Sequence, residues 1–205
     1  MPTIEVVSAC GNPAFIVGKP FRFAQANELT TACDKSQAAE SFADYYASGD
    51  QWRWWGASSF VVRRDAFQAV EGFTDKWIND EDADLAMRLG VSAGFVQITS
   101  PHTFGYREHD ASAMKDSQRT LAGAWQQVRA EESGRYPGGS ARARERWQIL
   151  TRHLRPVTLD CLRLGLRRDA WGLYRAMFHW HLALGRWKYL AGFPMKALFS
   201  RRHRP

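Results

Sequence analysis

The sequence predicts an α/β chain that ends in a basic helical extension. Three observations carry that expectation. Short runs of β-branched and aromatic residues, such as Ile4 to Ser8, Phe60-Val61-Val62 and Gly94 to Ile98, read as strands. Between them lie segments with helical spacing of their apolar residues. The charge is uneven: residues 142–205 hold 15 Lys and Arg against 3 acids, while residues 1–141 hold 13 against 18, so about +12 and −5 make up the net +7. Such asymmetry predicts two roles, a near-neutral globular part and a basic part with an anionic partner.

Taken in order, Ile4 to Ser8 is expected to be a short strand opening into the turn Gly11-Asn12-Pro13. Phe42, Tyr45 and Tyr46 group on one side of a helix predicted over Ser36 to Ala47, ended by Gly49-Asp50. Gln51 to Ser59 is aromatic and then small. Phe60 to Val62 is expected to be a buried strand, and Arg64 to Val70 a short helix closed by Gly72. Asn79 or Asp80 is placed to cap a helix running to Leu89, with Gly90 as its stop. Gly94 to Ile98 and Thr103 to Tyr106 are expected as two strands, the second leading to Glu108-His109-Asp110. A long amphipathic helix fits Ser112 to Glu132. Pro137-Gly138-Gly139 marks 134–140 as a linker, dividing the chain into 1–133, the linker and 141–205. Ala141 to Phe199 is expected to be helical and rich in Arg, Leu and Trp.

The composition narrows the class. Hydrophobic content of 45% and charge of 24% are those of a globular protein. Nine tryptophans call for large buried faces or for rings at a boundary between apolar and wet surroundings. Cys10, Cys33 and Cys161 are odd in number and widely spaced, so they imply neither a disulfide framework nor a zinc site, and a reducing, cytoplasmic setting is the expectation. The first residues carry no basic and then apolar pattern of a secretory signal. No uncharged apolar run reaches the roughly 18 residues of a membrane span.

The densest chemistry lies in Asp80-Glu81-Asp82-Ala83-Asp84-Leu85-Ala86-Met87-Arg88-Leu89. Acids in the first turn of a helix gain about 0.3–1 kcal/mol each from its dipole and free amides. Asp84 and Arg88, four apart, can pair on one face. Mutual repulsion among four carboxylates also raises their pKa values, which makes a better general base near neutral pH.

The flanks add a resemblance. Gly56-Ala57-Ser58-Ser59-Phe60-Val61-Val62-Arg63-Arg64-Asp65-Ala66-Phe67, then Glu71-Gly72-Phe73, then Glu81-Asp82-Ala83-Asp84-Leu85-Ala86-Met87-Arg88-Leu89 resembles glycosyltransferase family 2 and the related galactosyltransferase C-terminal region. The likeness covers roughly residues 54–112. It implies the C-terminal part of a GT-A (nucleotide-diphospho-sugar transferase) fold. It implies Asp82 as the base that takes the acceptor hydroxyl's proton during an inverting transfer, with Glu81 contacting the acceptor or orienting the base. Gly56, Ala57 and Ser58 would line the donor-sugar pocket, where small side chains permit close approach, and Trp55 adjoins them as a further donor or acceptor contact. His109, with Ser112 three positions on, matches the family's His-x-x-Ser segment and implies a ligand to a divalent Mn²⁺ or Mg²⁺ ion. Arg107 is the other candidate for the diphosphate, as a bidentate donor.

The family's nucleotide-binding half, which ends in an Asp-x-Asp motif, has no counterpart before residue 36. The resemblance therefore implies the second half of such an enzyme: a fragment, a chain with a mis-assigned start, one half of a split enzyme with a separate N-terminal half as partner, or a remnant with a binding role. It also implies a nucleotide-sugar donor and a glycan or lipid-linked acceptor of the cell envelope. In Leu159 to Phe199, Trp171, Phe178, Trp180, Trp187 and Tyr189 mix with Arg163, Arg167, Arg168, Arg175, Arg186 and Lys188, a composition suited to an anionic membrane surface on the inner face of the cell membrane. The alternative to an enzyme is a non-catalytic, membrane-peripheral binding module derived from one. Nucleic acid is disfavoured, because no zinc finger, RNA-recognition motif or Gly-x-x-Gly loop accompanies the basic residues.

Overall fold

The structure, a computed structural model, describes residues 11–25, 37–49, 56–108 and 116–199. They form a mixed α/β arrangement in which one four-stranded mixed sheet packs against helices. The strands are β1 (Phe15–Phe23), β2 (Ala38–Phe42), β3 (Phe60–Val62) and β4 (Phe95–Arg107), in the order β2-β4-β1-β3. β1 and β4 run parallel, aligning Phe15 with Phe95 and Phe23 with Arg107. β3 is antiparallel to β1, with Val17 opposite Phe60, and β2 is antiparallel to β4.

The centre of the sheet is apolar on both faces. Phe15, Val17 and Phe95 belong to the main core, whereas Ile16, Val96 and Ile98 make a smaller buried cluster. This division follows from the two-residue alternation of strand side chains. Phe15 is the ring around which the main cluster assembles, with centroids 4.8 Å from Phe60, 5.0 Å from Phe95 and 6.0 Å from Tyr45.

Three local expectations are corrected. The segment expected as a helix over 36–47 is, where described, the strand β2 followed by a short 3-10 turn at Tyr46–Ser48. Pairing with β4 supplies backbone bonds that outweigh the helical spacing of its aromatics, and Phe42 lies against Phe95 across that pair. The two strands expected over 94–106 are one strand of 13 residues, held along its length by β1. β3 is an edge strand whose residues are half or fully exposed, not a buried one.

The helices are α1 (Arg64–Ala69), α2 (Glu81–Arg88), α3 (Ser117–Glu132), α4 (Ala143–Arg163), α5 (Arg167–Ala176), α6 (Phe178–Ala183) and α7 (Trp187–Phe199). The start of α3 is fixed by Asp116, whose side chain accepts from the amides of Gln118 and Arg119. α4 is the spine of the helical layer and buries Ile149, Leu150, Leu154, Val157 and Cys161.

The segment 134–140 is tied to its neighbours. Tyr136 is buried and donates to Asp84 Oδ1 at 3.1 Å, and Arg146 of α4 donates to the carbonyls of Pro137 and Gly139. Arg146 also bonds Glu131 at the end of α3, and Trp147 Nε1 donates to the same carboxylate. One cluster of buried apolar residues runs from Ala14 to Ala197.

Candidate functional site

The site grows from the segment that leads into α2. Lys76 donates to Gln126, and Asn79 Nδ2 donates to Asp116 O and to Thr120 Oγ1. Arg119 donates to Ile78 O and lies over the Trp77 ring. Gly123 permits the close approach, because a β-carbon there would stand 2.0 Å from Asn79 O. Residues 76–79 are thus clamped on α3, and the chain turns into α2 at Asp80.

Asp80 takes a left-handed backbone conformation, φ 64°, and its side chain caps nothing. The expectation that Asn79 or Asp80 caps the helix is therefore met in position but not in chemistry: Asn79 is spent on α3. The helix stop at Gly90 has a steric basis. The Tyr46 ring lies against Gly90, where a β-carbon would stand 2.0 Å from Tyr46 Cζ, and Tyr46 Oη donates to Met87 O at 2.6 Å.

Within α2 the acids divide by environment. Asp84 is fully buried and accepts from Arg88 Nε at 2.9 Å and from Tyr136 Oη. Arg88 also donates to Val70 O. This buried pair ties α2 to the end of α1 and to the 134–140 segment. Its role is structural, and opening a buried pair costs about 3–5 kcal/mol.

Asp80, Glu81 and Asp82 are half-buried. Asp82 Oδ1 accepts from the Ala83 amide at 2.7 Å, while Oδ2 accepts no bond among the described residues. Burial pushes the Asp82 carboxyl up to about 6, and the Asp80 and Glu81 carboxylates add to the rise. Burial also raises Asp80. Opposing both is His153 on α4, whose charged form would stabilise the two carboxylates.

Gly56 stands beside this carboxylate. Its φ is 91°, and a β-carbon there would lie 3.3 Å from Asp82 Oδ2. A 3-10 turn over Ala57–Ser59 follows, closed by Ser59 Oγ on Gly56 O at 2.8 Å. Ala57 lines a cleft of about 350 Å³ with Phe60, Val62, Arg64, Phe67 and Leu85, the last one turn beyond Asp82. The size falls within the range of small-molecule sites. Ser58 faces a smaller cavity of about 130 Å³ on the sheet.

The expected site residues are thus partly assembled. Gly56 and Asp82 come together, Glu81 lies next to Asp82, and Ala57 opens onto the cleft beside them. Arg107 stands exposed at the end of β4, in register with Phe23, and bonds neither Gly56 nor Asp82 among the described residues. Trp55 and His109 lie outside the described residues. Among the described residues no group of three or more His, Cys, Asp or Glu is placed to hold a metal ion.

His153 escaped the sequence reading. It sits 71 positions after Asp82, far from any motif. The signal available is its row on α4: it falls midway between Ile149 and Val157 at four-residue spacing, a polar ring in an apolar row.

No family model matches the chain, and no curated protein or solved structure matches it.

Proposed function

We propose that the Gly56–Asp82 site is the acceptor side of an inverting glycosyltransferase of GT-A type. Asp82 Oδ2 takes the proton of an acceptor hydroxyl as that oxygen attacks the anomeric carbon of a nucleotide-sugar. The new glycosidic C–O bond forms as the bond to the diphosphate oxygen breaks, and the electron pair leaves with the nucleotide diphosphate. Attack from the side opposite the leaving group inverts the anomeric configuration.

The observation that carries this reading is the pairing of a side-chain-free position with a raised carboxylate. At Gly56 only a hydrogen fronts Asp82 Oδ2, so a sugar hydroxyl has room to approach. A carboxyl near 6 is largely ionised at pH 7 yet holds a proton more firmly than an ordinary aspartate, as a general base requires. Glu81 and Asp80 serve by charge, and the apolar cleft beside Ala57 offers a wall for a sugar ring. Burial chiefly sets how firmly Asp82 holds its proton, and the charge of His153 opposes it.

The test is transfer from a panel of nucleotide-sugars to lipid-linked and polysaccharide acceptors by the chain in its native assembly. Asp82→Asn is expected to lower the rate about 100- to 10,000-fold while leaving the fold intact. The wild-type rate is expected to fall on the acid side with an apparent pKa near 6. Undiminished transfer by the Asp82→Asn protein would remove Asp82 from this role.

A further inference from the structure

A second feature lies on the helical layer, away from Asp82. Arg167, Arg168, Trp171 and Arg175 of α5 line an open groove of about 360 Å³. Their spacing of three and four residues places the side chains along one side of the helix. The Trp171 ring is held by edge-on packing against Tyr174 and Phe193, with centroids at 5.5 and 5.2 Å. Arg175 lies over that ring at 5.8 Å, and Arg167 donates to Ala197 O. The groove is therefore a fixed indole flanked by three guanidinium groups.

Among the described residues its lining is three arginines and Trp171. The three acids of residues 142–205 are Glu145, Asp160 and Asp169. Glu145 bonds Arg142, Asp160 bonds Arg163, and Asp169 acts on the Cys161 thiol. Arg168 and Arg175, both exposed, carry the charge that the groove presents to an anion from outside.

The bond from Arg167 to Ala197 brings the end of α7 beside the groove. α7 presents an apolar row to solvent. Trp187 is 64% exposed, Met195 59%, Leu198 73% and Phe199 80%. Exposed Lys188 and Lys196 flank the row. Rings of the same region divide between two duties: Trp180 and Tyr189, expected among the interfacial aromatics, are buried in the core, while Trp187 and Phe178 remain outside.

We propose that α5 and α7 form a docking face for an anionic phospholipid bilayer. Arg168 and Arg175 receive a lipid phosphate as bidentate donors do. The α7 row enters the boundary between headgroups and acyl chains. Basic charge alone would fit any polyanion; the exposed Leu198 and Phe199 next to the groove select a surface with an apolar layer beneath its phosphates. No described helix is long and apolar enough to cross a membrane, so α7 lies along the surface. The proposal stands independently of the sugar-transfer reading.

The experiment is co-flotation of the full chain with phosphatidylcholine vesicles with and without phosphatidylglycerol, at low and high salt. The wild-type chain is expected to float only with the anionic vesicles and to be released as salt rises. Arg168→Glu with Arg175→Glu, both at exposed positions, is expected to weaken flotation at least about tenfold. Leu198→Ser with Phe199→Ser is expected to weaken it by a similar factor while the remaining flotation still requires the anionic lipid. Asp82→Asn is expected to float as wild type. Circular dichroism of each variant establishes that the fold is kept. Equal flotation of both double variants and wild type overturns the proposal. So does binding of inorganic phosphate by a chain that ignores vesicles, which would make the groove a soluble-anion site. A shift of single-stranded nucleic acid that the Arg variant abolishes, without flotation, overturns it too.

Discussion

At the residue scale, the contrast between Asp82 and Asp84 is the instructive one. They sit two positions apart on the same helix, yet Asp84 is enclosed with Arg88 and Tyr136 while Asp82 has one oxygen that accepts no bond among the described residues. A buried acid with a cation is a strut; a half-buried acid among like charges is held closer to its neutral form. The stability consequence has a definite sign. The Asp82 pKa is raised from 3.8 to about 6, so its contribution favours folding below about pH 4 and is lost as pH rises through about 6. At pH 7 the ionised side chain opposes folding, by on the order of 1 kcal/mol once its half-exposure is allowed for. Asp82→Asn is therefore expected to raise the melting temperature at pH 7 by about 2–4 °C, and to lose that advantage near pH 4. A melting temperature lowered at pH 7 would mean that the carboxylate is structural.

At the element scale, α2 is short and its position is set by what surrounds it. Tyr46 holds its C-terminal end through Met87 O, α3 holds its entry through Asn79, and Tyr136 holds its middle through Asp84. The approach at Gly123 matches that of the Tyr46 ring at Gly90 and is made by backbone. Gly123→Ala is expected to push the Asn79 carbonyl away from α3 and to cost about 1–3 kcal/mol in urea unfolding; under the proposed function it also lowers transfer by displacing Asp80 and Asp82. An alanine variant of full stability would show that the 76–80 segment yields freely. The position of β2 illustrates the same dependence. Its five residues are mostly exposed, and only the neighbouring β4 makes them a strand.

At the scale of the whole molecule, the sheet and the helices share one apolar cluster, and charged groups buttress the seams. Arg142 makes paired bonds to Asp44 at 2.8 Å, linking the start of α4 to the turn after β2. Arg146 and Glu131, both nearly enclosed, join α4 to α3. His181 is the weak point of this core under acid. It is fully buried against Tyr189, and neither ring nitrogen has a partner among the described residues. Burial, with Arg186 and Arg155 nearby, pushes its pKa down to about 4. The neutral ring is the folded form, so stability is full above about pH 6.5 and falls as pH drops towards 4. His181→Leu is expected to flatten the dependence of melting temperature on pH over that window, with near- and far-ultraviolet signals melting together in both proteins. An unchanged slope would place the acid sensitivity elsewhere.

Much of the element pattern was legible in the sequence because it is local. The α2 helix, with its acids first and Gly90 after it, follows from spacing and punctuation. The short α1 helix closed by Gly72, the break at 134–140 and the helical character of 141–199 follow in the same way. The separate duty of Asp84 and Arg88 was visible as a four-residue spacing. What depended on distant partners was not legible. Ala38 to Phe42 is a strand only because β4 lies beside it, and the two expected strands merge because β1 supports one long run. The apposition of Gly56 to Asp82, the approach of His153 from α4, and the division of the tryptophans between core and surface are matters of which faces meet. A linear sequence specifies each residue's chemistry and local spacing. Tertiary packing alone decides which groups lose water, and burial is what moves the Asp82 pKa, strands the His181 ring and leaves the α7 row exposed.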